Sequence, residues 1–125
     1  MNKSHSHEIM SLKAVLRAVQ ECRAKPLGDP QRIVVLLAPA GFGLPLLHGR
    51  KLRHHGAVLV PAGQMDKARA RFLKLLAHRT RVVPLLLASA EVWRAWNRRR
   101  PLESAQIRRR THLVVELGDP SSENI

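Results

Sequence analysis

The sequence predicts a small α/β domain of two or three layers, with a mostly parallel four-stranded sheet and an N-terminal amphipathic helix. Two observations lead there. Four short apolar runs, each four to eight residues long, recur along the chain, and the stretches between them carry helical signals. A strand that returns parallel to its predecessor needs such a crossover, so the alternation itself calls for parallel pairing.

The elements follow in order. From Glu8 to Lys25, Ile9, Leu12, Val15, Leu16, Val19 and Cys22 recur every three or four positions, while Lys13, Arg17, Gln20 and Glu21 fall opposite them. That spacing predicts a helix with one apolar stripe. "KPLGDP" (Lys25–Pro30) ends it, and Ile33–Ala38 is too uniformly apolar for a strand with a wet face, which predicts a central strand. A turn at Pro39, Gly41 and Gly43 leads into a short basic helix from Pro45. Strands are then expected within Ala57–Gly63, Val82–Ala90 and Thr111–Leu117. Pro84 removes one ladder donor from the third, so that strand either starts after it or holds it where the donor is not needed. "MDKARARFLKLLAHRT" and the segment bearing Trp93 and Trp96 read as helices, and Pro101–Arg110 reads as a loop or a single helical turn. Residues 1–7 and 118–125 are expected to be flexible ends around one domain spanning 8–117.

Composition narrows the class. No apolar run approaches the roughly 20 residues of a membrane span, and "MNKSHSHEIM" lacks the order of a signal peptide, so a cytoplasmic, non-membrane protein is expected. Cys22, the single cysteine, allows neither an internal disulfide nor a multi-cysteine zinc site and fits a core position.

Charge is the strongest functional signal. The formal net charge is +13, and residues 50 to 115 hold 16 of the 22 basic side chains but only 3 of the 9 acidic ones. A folded surface this basic calls for an anionic partner, and nucleic acid is the commonest, because neutralised phosphates release condensed counterions. On the helix after Met65, Lys67, Arg71, Lys74 and His78 fall within a sector of about 60°, leaving Ala68, Phe72, Leu75 and Leu76 to face the core. Arg94, Arg98, Arg99 and Arg100 follow on the next helix and Arg108, Arg109 and Arg110 after it, while Arg50, Lys51 and Arg53 precede them. These thirteen Lys and Arg residues, His78 aside, are the candidate nucleic-acid contacts. With Phe72 expected inside and Trp93 and Trp96 suited to packing, aromatic stacking is poorly supplied. Backbone recognition of duplex DNA or structured RNA is therefore the expected mode.

Other chemistry is thinly represented. Gly41 and Gly43 could cradle a phosphate at the carboxyl edge of the sheet, but the P-loop Gly-Lys-Ser/Thr is missing and Leu46 stands where a dinucleotide fingerprint needs its third glycine. Asp66, Glu91 and Glu116 are the candidate carboxylates for a metal at the strand ends, and His112 fits a satisfied strand histidine. No catalytic set can be assembled from spacing, and no metal or cofactor is called for. Two alternatives remain: a basic module that docks on an acidic protein within a larger assembly, and a small phosphate-ligand enzyme or nuclease working at the strand ends.

Overall fold

The computed structural model of the chain describes residues 3–39, 49–63, 65–79 and 81–117, with side chains from Leu12 onward except those of residues 50, 51, 78 and 79 and of Gly49. Gly41, Gly43 and the segment after Leu117 lie outside the described residues. Among the described residues there are nine elements: α1 (Lys3–Ala24), β1 (Ile33–Leu37), α2 (Gly49–His54), β2 (Ala57–Pro61), α3 (Lys67–Arg79), β3 (Val83–Ala88), α4 (Ala90–Arg99), α5 (Pro101–Arg109) and β4 (Thr111–Glu116). The four strands form one all-parallel sheet in the order β2-β3-β1-β4.

Helices cover both faces, which makes three layers. Along β1, Val34 and Leu36 join the core beneath α1 and α2 with Val15, Val19, Cys22 and Leu52. Ile33 and Val35 join the opposite core with Leu73, Trp93, Trp96 and Ile107 from α3, α4 and α5. A strand buried on both sides has no wet face to mark with polar residues, hence the unbroken run in the sequence.

Pro84 lies inside β3, opposite Val58 of β2. Val83 N–H donates to the Gly56 carbonyl on the β2 side, 2.9 Å away, so the next residue turns its backbone toward β1. There the ladder begins only at the Val34–Leu85 pair. Pro84, which has no N–H to give, thus sits at the end of the β1–β3 ladder, where the loss of a donor interrupts no pair.

Three local features depart from the sequence pattern. Pro101–Arg109 is a helix of nine residues, longer than the loop or single turn expected. Its signals are conventional, with Pro101 opening the first turn, Glu103 within it, and Arg108 and Arg109 in the last turn. The register shift between Ile33 and Val34 leaves His112 as an extra residue in β4, and its Nε2 meets Glu21 Oε1 of α1 at 2.8 Å. Gly56, between α2 and β2, is the one described residue with positive φ, at 81°, and the Arg23 guanidinium lies where a Cβ would stand.

Candidate nucleic-acid interface

The largest departure from the sequence expectation is in α3. Ala70, Leu73 and Ala77 are buried, whereas Phe72 and Leu75 are each 48% exposed. Leu76 is half-buried and Ala68 is exposed. The apolar period at 68, 72 and 75 exists, but it faces water. Trp96 and Ile107, both fully buried, fill the core on this side. What remains suits the small Ala70 and Ala77 flanking Leu73, so α3 packs through its smaller stripe.

Rotating α3 moves its charges as well. Lys67 and Arg71 are exposed on the helix, and Lys74 lies half-buried on its flank. Lys74 Nζ donates to Gln106 Oε1 of α5 across 2.6 Å, which fixes the ammonium beside the α5–β4 junction. Arg71, Lys74, Leu75 and Arg110 line an open groove of about 420 Å³. Arg110 is itself held, its Nη1 donating to the Gln106 carbonyl at 3.0 Å. Gln106, for which the sequence held no signal, thus organises two cations, one through its side chain and one through its backbone.

A second groove of about 520 Å³ continues from Arg109 and Arg110 to Asp29, Pro30 and Gln31. A smaller cavity of about 210 Å³ joins Lys74, Ala77 and Arg110 to Leu27, Gly28, Asp29 and Pro30. The loop that closes these spaces is ordered from within: Asp29 Oδ1 accepts the Gln31 N–H at 2.8 Å, and Lys25 Nζ donates to the Gln31 carbonyl at 2.9 Å. All three spaces lie where β1 and β4 begin. A cleft was expected at the carboxyl ends of the strands, but among the described residues these basic grooves gather at the amino ends.

The remaining candidates divide by element. Arg94, Arg98 and Arg99 of α4 and Arg108 and Arg109 of α5 are exposed in the same helical layer as α3. Arg99 Nη2 donates to the Met65 carbonyl at 3.1 Å, tying α4 to the start of α3. Arg100 pairs with Glu103 at 3.7 Å, and Arg108 Nε donates to the buried Ser104 Oγ at 3.2 Å. Arg53 is exposed on α2, across the sheet from this layer, and Arg50 and Lys51 belong to the same helix. The structure therefore does not bring all thirteen cations onto one surface.

The tryptophans are core residues. Trp96 is fully buried and Trp93 is 8% exposed, their ring centroids 5.9 Å apart, and the Trp96 Nε1 proton has no hydrogen-bond acceptor. Asp66 caps α3, its Oδ1 accepting the Arg69 N–H at 2.8 Å, and Glu91 lies in the first turn of α4. Among the described residues no three His, Cys, Asp or Glu side chains are grouped to hold a metal, and no helix is long and apolar enough to cross a membrane. No protein family, no curated protein and no solved structure matches the chain.

Proposed function

We propose that this protein binds nucleic acid in the cytoplasm, gripping the phosphate backbone of duplex DNA or structured RNA with the outer face of α3, α4 and α5. One observation supports this reading above the rest: Arg71, Lys74 and Arg110, which come from two distant parts of the chain, line one groove. Lys74 and Arg110 are both held in place through Gln106, so a phosphate there meets charges already positioned and little side-chain ordering is left to the binding step. Arg109 extends the positive rim toward the 29–31 loop, and Lys67 extends it along α3. Contacts of this kind attract every sequence alike, because phosphate carries no base information.

Salt titrations on duplex DNA test the proposal. Replacing Lys67, Arg71 and Lys74 together by Ala should lower the slope of log affinity against log salt by about 0.9 per lost phosphate contact. Arg53→Ala, on the opposite side of the sheet, should leave that slope unchanged. Equal slopes for the wild type and the triple variant would remove α3 from the interface. Stable capture of an acidic protein, with no affinity for DNA or RNA, would favour the interaction-module alternative instead.

A further inference from the structure

Phe72 gives this basic face a feature that a purely backbone-gripping surface does not require. It is 48% exposed on α3, directly after Arg71 and three residues before Leu75, which is equally exposed and lines the cationic groove. Residues three apart are neighbours on a helix surface, so ring and leucine form one apolar step, with Leu75 standing between the ring and the groove. An exposed aromatic ring one leucine away from a cationic groove matches a ligand with flat apolar rings strung on an anionic backbone. We infer that Phe72 is a stacking platform for an unpaired base, and that the preferred ligand carries single-stranded nucleotides whose phosphates enter the groove between Arg71, Lys74 and Arg110.

The inference rests on the reading of the α3–α5 layer as a nucleic-acid surface and narrows its ligand. A base inside a duplex offers its edges but no open face, whereas an unpaired base can lay its face on the ring. Leu75 extends the apolar floor under the sugar or the neighbouring base. Because the side chain of Phe72 is half in water and lies outside both cores, its truncation should leave the fold intact.

Fluorescence anisotropy with a labelled oligothymidylate and a blunt duplex of equal phosphate number tests this on the full chain. Phe72→Ala should weaken oligothymidylate binding about 5- to 150-fold, the range set by loss of one base–aromatic stack. Duplex affinity and the urea midpoint should stay as in the wild type. Phe72→Trp should retain single-strand affinity, and Phe72→Leu should lose most of it. Equal weakening on both probes, no weakening on either, or full retention by Phe72→Leu would overturn the stacking role while leaving backbone binding in place. Polyglutamate binding that matched oligothymidylate and fell equally with Phe72→Ala would also overturn it, in favour of an acidic peptide. A wild-type protein that bound neither nucleic acid at low salt would overturn the basic-face reading together with this one.

Discussion

The two faces of the sheet are built on different terms. Beneath α1, the sequence period marks the inner side: Val15, Val19 and Cys22 are fully enclosed, Leu12 and Leu16 are half-buried, and Lys13, Arg17, Gln20 and Glu21 are exposed. Beneath α3 the same spacing marks the wrong stripe, since Phe72 and Leu75 face solvent and Leu73 is enclosed between Ala70 and Ala77. The difference lies in what else fills each core. On the first face α1 meets β1, β3 and β4 directly, and its large apolar stripe is the available filler. On the second, two tryptophans and Ile107 arrive from α4 and α5, and α3 fits in with one leucine, Leu73, between the small Ala70 and Ala77. Apolar periodicity reports that a helix has an apolar face; when a helix carries two, competing volume selects the inner one.

The sharpest way to break this comparison is to truncate both leucines of α3 separately. Leu73→Ala should cost about 2 to 5 kcal/mol, as for a packed core position, whereas Leu75→Ala should stay within about 0.5 kcal/mol. Urea unfolding midpoints read both, and the reverse order would restore the orientation that the sequence period suggests.

A smaller loss is expected where α2 turns into β2. Gly56→Ala should cost about 1 to 2 kcal/mol, because an L-residue is strained at a φ of 81°. The new methyl would also meet the Arg23 guanidinium, whose Nη1 donates to the His55 carbonyl at 3.2 Å. Adding Arg23→Ala should relieve only the collision and leave the backbone strain. Full recovery of the unfolding midpoint in the double variant would mean that the turn tolerates an alanine.

The smallest effect concerns the α1 face and depends on pH. Burial pushes the Cys22 thiol above its ordinary 9.0, outweighing the opposite pull of Lys25 and Arg32. The unfolded chain then releases this proton at a pH where the folded chain still holds it. The associated stability is whole below 9.0 and declines as pH rises above that value toward the folded-state pKa. Wild type should therefore lose more stability than Cys22→Ala between about pH 8 and pH 10. Parallel losses would mean that the thiol is hydrated.

Much of the architecture was legible in the chain. Ile33–Leu37 announces a strand covered on both sides, and the alternation of strands with crossovers requires the parallel sheet. Pro101–Arg109 reads as a loop or a single turn although Pro101 and Glu103 open it and two arginines close it, because with only Ser104 and Ile107 buried it offers almost no apolar stripe. Of the candidate interface, the basic residue types and their crowding after residue 50 could be read directly. Their division between α2 on one face and α3 to α5 on the other could not.

The sequence by itself determined the fold class, the strand positions, the buried stripe of α1 and the excess of positive charge, because each follows from local periodicity or from composition. The tertiary structure alone decided which stripe of α3 is enclosed, that Lys74 and Arg110 meet through Gln106, that Phe72 stands in water, and that the grooves open at the amino ends of the strands. Those outcomes depend on how the volumes of Trp93, Trp96 and Ile107 share one face of the sheet with α3. A competition for space between residues that lie in different segments of the chain leaves no trace in the periodicity of either segment.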